Sequence, residues 1–110
     1  MPNFEKIVAL GKKHGVATIV DNTFSAAGYI VAPLKLGVNI VVSSATKWIG
    51  GHGTTIGGVI VDGGSFEWDN GRYPLMTDPA PGYHGASLFG MLGKATFIGR
   101  ARIEGLRDLG

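Results

Sequence analysis

Lys47 stands in the run Ser44-Ala45-Thr46-Lys47-Trp48-Ile49-Gly50-Gly51-His52, and Asp21 closes an apolar run twenty-six positions earlier. A lysine amine can hold an aldehyde as a Schiff base, and a carboxylate set against a ring nitrogen favours its protonated form. Both demands are those of pyridoxal phosphate (PLP), whose ring is an electron sink only while its nitrogen carries a proton. The Ser44 and Thr46 hydroxyls flank the position from which Lys47 projects, and short hydroxyl donors suit a phosphate dianion. These four residues predict a cofactor site, with Lys47 as covalent anchor, Asp21 as ring-nitrogen partner, and Ser44 and Thr46 as phosphate ligands.

Taken singly, each has a plainer reading. Lys47 alone is a solvated loop lysine, Asp21 a turn or helix cap after a strand, and Ser44 and Thr46 turn residues bonded to their own backbone. The combination carries the inference, because none of the plainer readings requires the others. His14, His52 and His84 are too scattered for the ligand spacing of a metal site, so no metal is assigned. His14 reads as a helix-terminal residue favoured by the dipole, His52 as support for the loop after Lys47, and His84 as a turn or substrate-facing residue. Trp48, Phe66 and Trp68 read as packing residues.

The elements that must position these groups are those of an α/β fold. Asn3 is a candidate N-cap, with Phe4, Ile7 and Val8 on one helical face, Lys12 and Lys13 in the last turn and Gly15 as terminator. Ala17 to Val20 and Ile40 to Val42 are short continuous apolar runs, the signature of parallel strands buried on both faces. In such sheets ligands gather at the carboxyl ends of strands. Asp21 and the Ser44 to Lys47 run each follow one such strand, so two strand ends are expected to bring the charged groups to one crevice. Pro33 and a short turn over Leu34 to Leu36 are expected to carry the chain between them.

Ile56 to Val61 predicts a third strand, closed by Asp62-Gly63-Gly64, with Gly57 and Gly58 suggesting close backbone approach. Ser65 to Lys94 mixes aromatics with glycine and proline and shows no sustained period. It is expected to be an ordered loop near a subunit interface or substrate entrance. A last helix is predicted with Ile103 and Leu106 on one face and Arg100, Glu104, Arg107 and Asp108 on the other. No internal repeat, low-complexity tract or domain boundary is read within the chain.

The stretch Asp21-Asn22-Thr23-Phe24, followed by Ser44 through Gly58, resembles the Cys/Met-metabolism family of PLP-dependent enzymes, and within it most resembles the O-acetylhomoserine sulfhydrylases. The likeness runs from Ala17 through Gly82-Tyr83-His84-Gly85 to Leu106-Arg107-Asp108-Leu109-Gly110. It implies the large PLP-binding domain of a fold-type I, aspartate aminotransferase-like enzyme, with a mostly parallel sheet and helices on both faces. The reaction it implies is γ-replacement on O-acetyl-L-homoserine, with sulfide or a small thiol displacing acetate; sulfide gives L-homocysteine for methionine synthesis. By the same resemblance Lys47 is the Schiff-base lysine and proton shuttle, Asp21 partners the ring nitrogen, Ser44 and Thr46 bind phosphate, and Thr23 packs near the cofactor ring. Asn39 and Ser43 depart from the family's usual residues, outside the central motif.

Family members are several hundred residues long and work as homotetramers whose subunits complete one another's sites. Residues 1–110 are therefore expected to be a partial PLP-binding domain, without the upstream phosphate loop, the ring-stacking aromatic and the C-terminal domain. A polypeptide ending at Gly110 is expected to turn over little or no substrate. A sibling γ-lyase or cystathionine-type reaction, or an inactive α/β piece, is the alternative.

Composition narrows the classes. At 110 residues with 45% hydrophobic side chains the chain is large enough for a core. Ten basic and eight acidic residues give a net charge of +2 without a cluster beyond Lys12-Lys13, which is no nucleic-acid footprint. No apolar run of membrane-spanning length and no signal-like N-terminus are seen, so a cytoplasmic location is expected. The absence of cysteine excludes a disulfide framework and a thiolate metal site. A nucleotide-binding loop over Gly50 to Thr55 is a poor reading. The Gly-x-x-x-x-Gly-Lys-Ser/Thr order is absent, and the glycines precede a strand rather than a helix.

Overall fold

The computed structural model describes Met1–Gly110, whose contacts divide into two compact units, Met1–Gly63 and Gly64–Gly110. The sequence shows no internal boundary, but its Asp62-Gly63-Gly64 turn falls at this division.

The first unit opens with α1 (Phe4–His14). The Asn3 side chain accepts the Lys6 N–H at 3.0 Å, and Gly15 closes the helix at a φ of 60°. An L-residue with a side chain would be disfavoured there, so the expected start and stop signals both operate. Phe4 and Val8 of α1 form the core with Val38 and Val41, flanked by Val20, Val31 and Leu34. Burying each large apolar side chain contributes about 1.5–3 kcal/mol. Ile7, expected on the same face, is 42% exposed because its side chain lies at the rim of this cluster's helical stripe.

Three strands make the sheet: β1 (Ile19–Asp21), β2 (Ile40–Ser44) and β3 (Gly58–Asp62), in the order β1-β2-β3. β1 and β2 are parallel, with Asp21 opposite Val42; β3 is antiparallel to β2, with Ser44 opposite Gly58. The sheet of this chain is thus mixed, half of its pairings departing from the expected parallel arrangement. The glycine-rich connection from Gly50 to Gly57 contains no crossover helix and returns the chain antiparallel. Nor is β1 buried on both faces, since Ile19 is 57% exposed. A 3₁₀ turn at Pro33–Leu36 leads into β2, as expected from Pro33.

Asn39 clamps the start of the parallel pair. Its Oδ1 accepts both the Thr18 N–H and the Thr18 hydroxyl at 2.9 Å, and its own N–H donates to the Thr18 hydroxyl oxygen at 3.2 Å. An amide oxygen and a carboxylate oxygen both accept such bonds, which explains physically how this position tolerates Asn.

The second unit, where an ordered loop is expected over residues 65–94, contains regular elements instead. It contains α2 (Pro74–Thr77), the paired strands β4 (Pro79–Ala80) and β5 (Ala86–Ser87), α3 (Leu88–Leu92) and α4 (Thr96–Arg100). Phe66, Trp68, Tyr73 and Phe97 form an aromatic cluster, with ring centroids 4.8 Å apart for Phe66–Trp68 and 5.5 Å for the stacked Trp68–Phe97 pair. These elements are too short to show a period, so packing of rings holds them where periodicity gives no signal. Ser87 ties two of them, accepting the Gly90 N–H and donating to the Thr77 carbonyl at 2.7 Å.

The terminal helix continues beyond α4 as wider π turns over Ala101–Asp108. Arg100 and Glu104 pair at 2.7 Å on the expected polar face, while Leu106, expected on the opposite face, is 65% exposed. No helix is long and apolar enough to cross a membrane.

Candidate functional site

Parallel pairing of β1 and β2 puts their carboxyl ends side by side. Asp21 is the last residue of β1, and Ser44 the last of β2, so the strands run one and two residues, respectively, beyond the ends of the predicted apolar runs. The β2 ladder continues one step past β1, where the Asn22 N–H donates to the Val42 carbonyl at 2.8 Å. Side chains alternate across a strand, so Asp21, Val42 and Ser44 share one face of the sheet. Ser43, Val41, Val59 and Val61 line a groove of about 250 Å³ on the other.

Asp21 is held by its neighbour two residues on. Thr23 donates both its N–H, at 3.0 Å, and its hydroxyl, at 2.6 Å, to Asp21 Oδ1. This is the local Asx-type geometry that a short polar side chain favours just after a strand. The two bonds stabilise the ionised form, the hydroxyl bond more strongly, and hold the Asp21 pKa below the ordinary carboxylate value against a smaller opposing effect of desolvation. Both bonds fall on Oδ1, which leaves Oδ2 directed at no group of this chain.

The same hydroxyl makes a second bond. Thr23 Oγ1 accepts the Ser44 N–H at 2.8 Å, so one buried side chain joins the end of β1 to the end of β2. The sequence reading puts Thr23 beside a cofactor ring; within the chain it bridges Asp21 and Ser44. Its spacing from Asp21 was the available signal, because threonine two residues after aspartate is a turn pattern.

After Ser44 the chain winds through one π turn, Ala45–Ile49, interrupted at Lys47, whose φ of −89° and ψ of −112° are not helical. The turn closes through Gly50 N–H to Ala45 O and Gly51 N–H to Lys47 O, both at 2.8 Å. A Cβ on Gly50 would lie 2.9 Å from the Ala45 carbonyl oxygen, which is why glycine must follow the lysine at this distance. By contrast, Gly57 and Gly58, expected to mark close approach, would meet only ordinary van der Waals neighbours. The Lys47 side chain is exposed and in no ion pair. Trp48, expected to pack, is 60% exposed.

The two hydroxyls differ. Ser44 is fixed by its backbone N–H, which leaves its hydroxyl available. Thr46 Oγ1 accepts the Gly57 N–H at 3.0 Å and donates to the Gly57 carbonyl at 3.3 Å. The donated bond is long, so a phosphate oxygen competing for that proton would displace a weak partner. The sequence marked Gly57 only for close backbone approach and not for this pairing with Thr46, because its contribution is made through its backbone.

This donor set fits a bound PLP: a free carboxylate oxygen, a primary amine without a partner, and hydroxyls at the end of a strand. The model for the Cys/Met-metabolism PLP-dependent enzymes matches residues 1–92. O-acetyl-L-homoserine sulfhydrylase 1 of Thermus thermophilus is 52% identical over all of this chain and 26% of its own length. The homocysteine/cysteine synthase of Saccharomyces cerevisiae is 54% identical over all of this chain and 25% of its own length. The chain thus spans about a quarter of the curated relatives it matches. A crystal structure described as an O-acetylhomoserine (thiol)-lyase of Campylobacter jejuni, containing N'-pyridoxyl-lysine-5'-monophosphate, superposes with a TM-score of 0.90 at 34% identity, over 100% of this chain and 27% of that one. The fold is accordingly part of the fold-type I PLP-binding domain expected from the sequence.

Proposed function

We propose that this chain, which belongs to the Cys/Met-metabolism family of PLP-dependent enzymes, forms the lysine-bearing half of a site for γ-replacement on O-acetyl-L-homoserine. Sulfide adds at Cγ as acetate leaves, giving L-homocysteine. The observation carrying this reading is the approach of Asp21 and the Lys47 segment at adjacent carboxyl ends of parallel strands, joined through Thr23.

Bound PLP supplies an electron sink for the substrate's carbanion. Lys47 holds the cofactor through Nζ and, once substrate has displaced it, carries protons to and from the substrate carbons. Asp21 holds the proton on the ring nitrogen through its open Oδ2. Ser44 donates to the phosphate through its uncommitted hydroxyl, and Thr46 joins it by giving up its long bond to Gly57. Thr23 joins the Asp21 and Ser44 ends of this arrangement. Tetrameric assembly and a cytoplasmic setting belong to the same proposal.

The names of the sulfhydrylase relatives, aligned over 100% and 92% of the chain, support this substrate. A γ-lyase reaction has weaker support: the cystathionine gamma-lyase structure of Lactobacillus plantarum matches 56% of this chain and 16% of that one, at 42% identity and a TM-score of 0.53. The test has two arms, both in the complete enzyme carrying this segment. Borohydride reduction with PLP should leave the modification on the Lys47 peptide by mass spectrometry; modification elsewhere would remove Lys47 from its role. Incubation with O-acetyl-L-homoserine and sulfide should release homocysteine and acetate in equal amounts. Formation of a keto acid and ammonia instead would favour the lyase.

A further inference from the structure

We infer that Thr23 is a positioning residue, whose hydroxyl fixes the Asp21 carboxylate and couples its placement to the segment that carries Lys47. The inference rests on the cofactor reading of Asp21, which it deepens by assigning Thr23 a role through Asp21 rather than through contact with the ring.

The hydroxyl of Thr23 has one proton to give, and it is given to Asp21 Oδ1 at 2.6 Å. That length belongs to the strong, charge-assisted class of hydrogen bonds. Its oxygen accepts the Ser44 N–H at 2.8 Å, so the donor and an acceptor lone pair are used in opposite directions, toward the two strand ends. The Thr23 N–H also reaches Oδ1, at 3.0 Å. Two donors converging on one oxygen stop rotation of the carboxylate and define where Oδ2 points. A hydroxyl oriented in this way has no second proton for a cofactor atom.

The link also bears on distance. A ring nitrogen bound at Asp21 and an aldehyde carbon bound at Lys47 lie on one rigid molecule, so the two protein groups must keep a fixed separation. The strands are paired in register up to Asp21 and Val42, and beyond this point Thr23 supplies a side-chain bond between them. Its burial, at 8% exposure, shields that bond from competing water. The turn containing Thr23 also packs against the Ala45–Ile49 turn. Asp21 is exposed, and so needs such a tether more than a carboxylate fixed by surrounding packing.

The test compares Thr23→Val, which keeps the shape and removes the hydroxyl, with Thr23→Ser, which keeps the hydroxyl, in the complete enzyme. The first readout needs no cofactor. In the apo enzyme with ¹³C-labelled aspartate, Asp21 should titrate below the ordinary carboxylate range in wild type and Thr23→Ser, and move up toward it in Thr23→Val. The second is kinetic: Thr23→Val should lower kcat roughly tenfold with KM for the amino-acid substrate little changed, and Thr23→Ser should restore it. An unchanged Asp21 titration in Thr23→Val overturns the inference. So does a loss of PLP affinity with that titration unmoved, which would make Thr23 a direct cofactor contact. If Thr23→Val does not fold, an ordinary Asp21 titration in wild type overturns it equally. Failure of the cofactor reading shows separately: ¹⁵N-labelled PLP would then keep the same ring-nitrogen protonation in Asp21→Asn as in wild type.

Discussion

The ends of β1 and β2 lie side by side, yet they treat their charged groups in opposite ways. Asp21 is held through one oxygen by two donors from Thr23, and its ionised form is stabilised where it stands. Lys47 has a backbone fixed by the Gly50 and Gly51 closures but a side chain that is exposed and without a partner. The difference matches the tasks proposed for them. A ring-nitrogen partner stays in place through the reaction and gains from preorganisation, whereas a lysine that anchors, releases and moves protons needs a rigid base and a mobile end.

Replacing the mobile group should have the largest effect. In the complete enzyme, Lys47→Ala is expected to abolish the visible absorbance of the lysine-bound cofactor and to reduce turnover by about a thousandfold or more. A spectrum like that of wild type would break the comparison at its mobile end. Asp21→Ala comes next. Cofactor should still bind, because Lys47 and the phosphate ligands remain, but turnover should fall roughly a hundredfold or more as the ring nitrogen loses its charge partner. Near-normal turnover would mean that the pinned carboxylate is only a turn element.

Acid separates the two ends further. The folded-state pKa of Asp21 is depressed, so its stabilising contribution is present above the ordinary value of 3.8 and is lost as pH falls through the lower folded value. Thermal melts of the apo enzyme should therefore show wild type above Asp21→Asn near neutrality, with the gap closing only at pH below 3.8. A gap already closed at higher pH would show that Thr23 does not hold the carboxylate.

What could be seen in the sequence follows the same division. Asp21, Ser44, Thr46 and Lys47 were legible as candidates because side-chain chemistry is written in residue type, and the apolar runs before them located the two strand ends. The direction of β3 was not legible, since an apolar run such as Val59 to Val61 has the same composition in either orientation. Nor was the linking role of Thr23, which needs the Ser44 N–H brought across from a neighbouring strand. Gly57 acts through backbone atoms that every residue possesses. In the second unit, the contacts of Trp68 with Tyr73 and Phe97 organise segments too short for periodicity to reveal.

The rigid base of Lys47 can be tested without touching any reactive group. Gly50→Ala places a methyl 2.9 Å from the Ala45 carbonyl oxygen, a backbone atom that cannot swing aside. The π turn must shift, which is expected to destabilise the enzyme by about 1–3 kcal/mol and to lower the yield of Lys47 labelling by PLP and borohydride. Full labelling at unchanged stability would show that the turn is not the base on which the lysine depends.

The smallest effect is expected from Thr46→Val. Its hydroxyl accepts the Gly57 N–H at 3.0 Å, but the bond is exposed, so water can replace the lost acceptor and the stability change should stay below about 1 kcal/mol. Affinity for PLP should nevertheless fall several-fold if the Thr46 proton leaves Gly57 for the phosphate, because a bond to a charged acceptor is the stronger of the two. Equilibrium dialysis of apo enzyme against PLP measures that difference. A loss of stability without any loss of affinity would leave Thr46 as a brace between the lysine turn and β3, and Ser44 as the phosphate donor of this pair.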